Sequence, residues 1–257
     1  MKILVVGAGN MGAWLVEALC LDHEVGVFDT DKRRLKFFFN SQRFVKLEEI
    51  KSFAPQLMIN SVSLQHTFKA FETVIPYLPQ DCILSDIASV KIGLKDFYKK
   101  SGRRFVSTHP MFGPTFANIK DLAEENAIII KESDVEGKKF FTDFYSNFKL
   151  NIFEYTFEEH DQTIAYSLSI PFTSTLVFAA CMVKQEAPGT TFKRHMRIAK
   201  GLLSENDYLL SEVLFSPYTL EQVEKINQKL EYLVDVIKRR DTKEIHGFFD
   251  SLRKNIQ

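Results

Sequence analysis

A strand, a glycine-rich turn, a helix and a second strand closed by an acid follow one another within the first 29 residues. Few folds accommodate that succession. The apolar, β-branched run over residues 2–6 passes straight into Gly7-Ala8-Gly9-Asn10-Met11-Gly12. Trp14, Leu15, Ala18 and Leu19 then recur at helical spacing. A second strand over residues 25–28 ends in Asp29. G-x-G-x-x-G in this context marks a dinucleotide site. Gly7 makes the tight turn, Gly9 lets backbone approach a pyrophosphate, and Gly12 lets helix and strand pack closely. The helix start at Asn10 and Met11 offers unpaired N–H groups to phosphate. Asp29 is placed to accept hydrogen bonds from a ribose diol, and its charge would repel a 2′-phosphate. Lys32, Arg33 and Arg34 lie just beyond; they bind such a phosphate or form a solvated helix start. NAD is the expected cofactor, with NADP kept open. Its binding residues are Gly7, Gly9, Asn10, Met11, Gly12 and Asp29.

Strand and helix signals keep alternating after this unit. Strands are expected near 44–45 and over 57–61, 83–86, 104–106, 127–130 and 151–155. Helices fall between them at 47–53, 67–77, 92–100 and 135–148. Such alternation with short connections specifies an α/β fold with a doubly wound, mainly parallel sheet. From Thr156 onward the strand signal disappears. Thr156 and Glu159 form a capping-box pattern, opening a long apolar helix over 158–183 that Pro171 is expected to bend or break. Further helices follow at 191–204, 205–214, 219–238 and 241–253. The chain thus divides into a dinucleotide-binding domain, 1–156, and an all-α substrate and dimerisation domain, 157–257. The apolar faces of the long helix are too broad for one exposed helix, which points to a bundle completed by a second subunit.

Composition removes several classes of function. The formal net charge is zero, so bulk attraction to nucleic acid or an anionic membrane is not expected. Three scattered cysteines, Cys20, Cys82 and Cys181, argue for a reducing compartment and against a disulfide framework. No metal-ligand spacing occurs. The first residues enter a core strand with no room for a signal peptide, and no apolar run is expected to span a bilayer. A cytoplasmic location follows. The run Phe37-Phe38-Phe39 reads as packing.

Chemistry-bearing residues gather in four places. Thr108-His109-Pro110-Met111-Phe112-Gly113-Pro114 follows the strand over 104–106, with a histidine where that strand would end and a rigid turn beyond. Ligands of open α/β sheets bind past the carboxyl ends of strands, where an imidazole can exchange a proton near neutral pH. The plainer reading is a turn histidine bonded to backbone. Ser89, in Asp86-Ile87-Ala88-Ser89-Val90-Lys91, either contacts a substrate hydroxyl or the nicotinamide, or caps a helix. Lys91 reads as solvated. Lys193, Arg197 and Lys200 share one helical face, which pairs with a carboxylate or is simply exposed. His160, in Glu159-His160-Asp161, either faces a cleft between domains or serves capping and interdomain hydrogen bonding.

Taken in order, these segments resemble the prephenate and arogenate dehydrogenases of tyrosine biosynthesis. The matching pieces are Gly7–Gly12, Asp86–Lys91, His109-Pro110-Met111-Phe112-Gly113, Glu159-His160-Asp161 and Arg197-Ile198-Ala199. The last third matches more thinly. The resemblance implies a Rossmann domain followed by a helical dimerisation domain, and oxidative decarboxylation of a cyclohexadienyl dicarboxylate, prephenate, by NAD. It implies His109 as catalytic base at the ring hydroxyl, Ser89 assisting there, and Arg197 on a substrate carboxylate. One departure stands out: many members carry a histidine on the long helix about where Phe172 lies. Competing readings are an arogenate dehydrogenase, another two-domain NAD(P) reductase, and a non-catalytic dinucleotide-binding protein. The reductase would commonly place a lysine on the long helix, which offers none before Lys184.

Overall fold

The computed structural model of the chain describes residues 1–113 and 121–256. Their contacts divide them into two compact units. The first comprises residues 1–164 with 205–210, the second 165–204 with 211–256.

Eight strands build the first unit: β1 (Lys2–Val6), β2 (Glu24–Phe28), β3 (Gln42–Phe44), β4 (Leu57–Asn60), β5 (Ile83–Asp86), β6 (Phe105–Pro110), β7 (Asn126–Ile130) and β8 (Asn151–Tyr155). They form one sheet in the order β3-β2-β1-β4-β5-β6-β7-β8. Pairing is parallel as far as β6. β7 joins β6 antiparallel, and β8 pairs parallel to β7. The helices are α1 (Asn10–Leu19), α2 (Leu47–Phe53), α3 (Thr67–Val74), α4 (Leu94–Ser101) and α5 (Val135–Asn147), with the first turns of α6 (Phe157–Cys181).

The central strands are apolar on both faces because helices cover both. Ile3 and Val5 of β1 pack with Trp14 and Leu15 of α1 and Phe141 and Tyr145 of α5. Leu4 and Val6 point the other way, into a core with Phe53 of α2, Phe71 of α3 and Tyr98 of α4. Strand order reverses at β1, which sits between β2 and β4, so a crevice opens past the carboxyl ends there.

Several expectations change. β6 does not stop at Val106 but continues through His109 to Pro110. Its last residues, Ser107, Thr108 and His109, are buried although polar, so an apolar-run criterion passes over them. β7 supplies the pairing: Thr108 faces Ile129 and Pro110 faces Ala127. The turn expected after His109 is described as far as Gly113; Pro114 lies outside the described residues. Phe112 packs edge-on against Trp14, with ring centroids 5.3 Å apart. Of the three consecutive phenylalanines only Phe38 packs; Phe37 and Phe39 are exposed.

The second unit is helical: the rest of α6, α7 (Thr190–Leu202), the second half of α8 (Asp207–Leu214), α9 (Thr219–Arg239) and α10 (Thr242–Asn255). A buried hydroxyl pair joins α6 to α9, Ser169 Oγ to Thr219 Oγ1 at 2.7 Å, and Thr219 Oγ1 donates to the Val213 carbonyl. The rings of Tyr232 of α9 and Phe248 of α10 pack at a tilt, with centroids 5.2 Å apart. Pro171 does not break α6, which runs unbroken for 25 residues. This overturns the expectation that no apolar run reaches membrane-spanning length: by length and a mean hydropathy of 1.5, α6 qualifies. Those two properties alone carry that comparison. The expected domain limit at 156/157 coincides with the start of α6, whereas the compact units divide inside it, after Ile164. Phe157 and Ile164 are buried and belong to the first unit.

Candidate active site

The glycine turn joins β1 to α1. Gly7 has φ +102°, which L side chains rarely adopt, and its N–H donates to the Phe28 carbonyl at 2.8 Å. At Gly12 a Cβ would lie 1.9 Å from the Gly7 carbonyl oxygen, so only glycine lets α1 start this close to the strand. Gly9 differs: its backbone is ordinary extended, φ −75° and ψ −171°, and a Cβ there meets nothing within 4 Å. Gly9 caps α1 without any side-chain hydrogen bond, and no acid stands in the first turn. The helix dipole and its free N–H groups therefore face outward. Asp29, after β2, accepts from the Ala8 N–H at 2.7 Å and from the Asp31 N–H at 2.7 Å. These bonds fix the carboxylate beside the turn and leave each oxygen a lone pair. Arg33 is engaged bidentately with Asp31, and Arg34 approaches Asp29 at 3.9 Å.

The loop fits a dinucleotide because space stands open where the phosphates would lie and is closed where helix meets strand. Gly9→Val is expected to leave unfolding free energy unchanged within about 0.5 kcal/mol and to weaken dinucleotide affinity by about tenfold or more. Gly12→Ala is expected to destabilise the fold itself. Calorimetric titration with parallel urea unfolding separates the two. A Gly9→Val protein with unchanged affinity would place the phosphates elsewhere.

A second cluster lies past the carboxyl end of β5. The register pairs Asp86 with Ser107, so Thr108 to Pro110 overrun β5 into the crevice. There the sequence builds a chain of buried polar groups. His109 is 8% exposed, and its Nδ1 lies 3.0 Å from His160 Nε2. His160 Nδ1 lies 3.0 Å from Asp161 Oδ1. The Lys91 N–H donates to that same oxygen at 3.2 Å. Thr156 and Glu159 form the expected reciprocal capping box, at 2.8 and 3.1 Å, and so aim this first turn of α6. Beneath it Lys91 Nζ pairs with Asp86 Oδ2 and donates to the Thr108 carbonyl at 2.8 Å. Tyr98 Oη donates to Asp86 Oδ1 at 2.7 Å.

Electrostatics follow from burial. Removal from water, with His160 and the Lys91 ammonium close by, holds His109 well below the ordinary imidazole range. Burial lowers His160 to about 3, with Lys91 adding to the effect and Asp86 opposing it. Asp161 is pushed up to about 6 by burial, against the Lys91 N–H and ammonium. At neutral pH both rings are uncharged and Asp161 is ionised. His109 Nε2 makes no hydrogen bond among the described residues.

The sequence-derived candidates fare differently. Ser89 lies half-buried in the connection after β5. It does not cap a helix, because α4 begins at Leu94 with Gly93 as its cap. Asp86 and Ser107 are paired neighbours, so Ser89 and His109 follow the same end of adjacent strands. Lys91 is not solvated but wholly buried, because Asp86 five residues earlier supplies its counter-charge. His160 is not a helix cap but the middle of the polar chain. Arg197 sits exposed on α7, in the second unit, as do Lys193 and Lys200. Among the described residues no metal-ligating cluster occurs.

Residues 21–149, half of the chain, match the prephenate dehydrogenase nucleotide-binding domain. The chain belongs to the prephenate dehydrogenase family. A probable arogenate/prephenate dehydrogenase of Methanocaldococcus jannaschii is 22% identical over 200 residues, 72% of this chain. The chain spans 44% of the length of that curated relative. Among solved structures, an A. aeolicus prephenate dehydrogenase in complex with hydroxyphenyl propionate and NAD+ superposes with a TM-score of 0.84 at 18% identity. That match covers 100% of this chain and 98% of the other. A Synechocystis arogenate dehydrogenase superposes with a TM-score of 0.78 at 18% identity, over 99% and 98% of the two chains. Likeness at this level of identity establishes the shared fold, a Rossmann sheet followed by helices, for a member of the prephenate dehydrogenase family.

Proposed function

We propose that this chain catalyses the NAD-dependent oxidative decarboxylation of prephenate to 4-hydroxyphenylpyruvate. The observation that carries the reading is His109: a neutral, buried imidazole with Nε2 unbonded among the described residues, on the overrun of β6 past the carboxyl end of β5. A proton acceptor there, beside a sheet whose first turn suits a dinucleotide, is what oxidation of a ring alcohol needs. A bound nicotinamide dinucleotide would supply the hydride acceptor. Gly7, Gly9, Asn10, Met11 and Gly12 would hold its phosphates and Asp29 its ribose.

His109 Nε2 would take the proton of the substrate's ring hydroxyl as the carbon beneath is oxidised, and Ser89 would orient that hydroxyl. The dienone so formed loses its ring carboxylate as carbon dioxide, because an aromatic phenol results. The loss needs little acid–base help, and a dry cavity favours it. Arg197 is the proposed ligand of a substrate carboxylate. Arg197→Ala is expected to raise KM with kcat little changed; an unchanged KM moves that role to another cation such as Arg194. We further propose a cytoplasmic homodimer formed through helices that expose Val177, Leu220 and Ile237.

NADH formation followed with prephenate, then arogenate, each with NAD and NADP, tests the reading. Turnover of prephenate with NAD is expected. Strong preference for arogenate would transfer the same chemistry to the amino-acid substrate, a reading favoured by the likeness to the Synechocystis structure. Dinucleotide binding without turnover of either would leave a binding protein.

A further inference from the structure

Resting on that reading, we propose that His109, His160 and Asp161 form a proton relay in which Asp161 holds the substrate's hydroxyl proton during oxidation and returns it after carbon dioxide leaves. The chain of contacts has one polarity. An ionised carboxylate only accepts hydrogen bonds, and Asp161 Oδ1 already accepts from the Lys91 N–H. His160 Nδ1 therefore donates to Asp161. A neutral imidazole has a single N–H, so His160 Nε2 accepts, and His109 Nδ1 donates to it. His109 Nε2 is left with its lone pair, the form a base requires. The network selects this tautomer before any substrate arrives.

The same surroundings resist a positive charge on His109. It is buried, a second imidazole lies 3.0 Å away, and the Lys91 ammonium stands behind the β6 backbone on the Thr108 carbonyl. A proton stopping at His109 would create a buried imidazolium beside that ammonium. A proton passing to Asp161 creates no new charge of that kind and neutralises a partly buried carboxylate whose ionised form desolvation already disfavours. The balance is as follows. The hydroxyl proton moves to His109 Nε2, the His109 Nδ1 proton to His160 Nε2, and the His160 Nδ1 proton to Asp161. Both rings remain neutral, with exchanged tautomers. A bound nicotinamide dinucleotide would accept the hydride of the ring carbon. When the carboxylate departs as carbon dioxide, its bonding pair flows into the ring and onto the former hydroxyl oxygen. That phenolate takes the proton back by the reverse shifts, so the cycle neither releases nor consumes one.

The groups around the relay define its pH dependence. Lys91 and Asp86 face it from β5 and the connection after it, Tyr98 of α4 bonds Asp86, and Lys131, beyond β7, is paired with Glu159. Burial lowers Lys91, against the Asp86 and Asp161 carboxylates that favour its charge, and raises Asp161 to about 6. Below that pH Asp161 is protonated and can neither accept the proton nor impose the polarity.

The test compares kcat/KM against pH for wild type, Asp161→Asn, His160→Gln and the double variant. Asparagine keeps the Oδ1 acceptor for the Lys91 N–H and His160 but cannot take a proton. The wild type is expected to lose activity below about pH 6, and each single variant to fall about 100-fold or more with that acid limb abolished. The double variant is expected to be no worse than either single one, as for groups acting in series. Ring nitrogen-15 spectra of the dinucleotide-free protein are expected to show His109 and His160 as Nδ1–H tautomers in wild type and in Asp161→Asn. Those spectra also show that the variant is folded. An Asp161→Asn enzyme near wild-type rate, one that keeps the acid limb, or an Nε2–H tautomer at His109 would overturn the relay alone. A wild type that oxidises neither substrate would remove the proposed activity and the relay with it.

Discussion

His109→Asn is expected to reduce kcat by about 100- to 10,000-fold while dinucleotide affinity stays at the wild-type level. Asparagine is the informative replacement because its side-chain amide can occupy the place of Nδ1. It keeps a donor toward His160 Nε2, which lies 3.0 Å from Nδ1, so the buried acceptor is not left without a partner. What it removes is Nε2, the atom that makes no hydrogen bond among the described residues. The glycine turn belongs to β1 and α1, and among the described residues no hydrogen bond or ring contact of His109 reaches it, so the cofactor site is expected to remain intact. Steady-state kinetics beside calorimetric titration with NAD read the two effects separately. A variant turning over at the wild-type rate would end the assignment of the base. A variant that lost NAD binding as well would show that His109 is needed for the shape of the crevice.

Lys91→Met is expected to destabilise the protein by about 3–5 kcal/mol. Lys91 and Asp86 are both wholly buried, so neither is relieved by water when its partner goes. Methionine fills the stem of lysine but strands the Asp86 carboxylate with only the Tyr98 hydroxyl and the Ala88 N–H. The Thr108 carbonyl loses the ammonium as well, directly beside His109. The expected compensation is sharper evidence than the loss. Lys91→Met combined with Asp86→Asn removes both charges and is expected to recover much of the stability, because the stranded charge, more than the missing attraction, dominates the penalty. Urea unfolding of the two single variants and the double variant measures this, with unchanged m-values marking a change in stability rather than in mechanism. A loss under about 1 kcal/mol for Lys91→Met would mean that water reaches the pair.

The glycine turn was legible in the sequence for a local reason. Gly7 and Gly12 are dictated by a positive φ and by an approach of 1.9 Å, both settled within twelve residues. The limits of α2, β5 and β8 also agree with the sequence expectation, because each rests on side-chain periodicity over a few neighbouring residues. The buried polar cluster was not legible in that way. Lys91 reads as a surface residue until the fold sets Asp86, Tyr98 and the Thr108 carbonyl around it. His160 lies 51 residues from His109, and no spacing rule connects them. The one available signal was the acid at 86 followed by a base at 91 across a strand end, a pattern with many exposed counterparts. Pro171 is a different case. Proline removes one N–H and crowds the preceding turn, yet α6 passes through it unbroken.

The order of elements, the alternation that makes a doubly wound sheet, and the turn suited to a dinucleotide were written in the chain, because each depends on side-chain periodicity and backbone sterics over a few neighbouring residues. Tertiary structure alone decided that β6 runs on to carry His109 into the crevice, that a lysine is buried, and that two histidines and an aspartate line up. Those outcomes depend on which distant groups share a desolvated space, where a charge or an N–H is tolerated only if a partner arrives from another element.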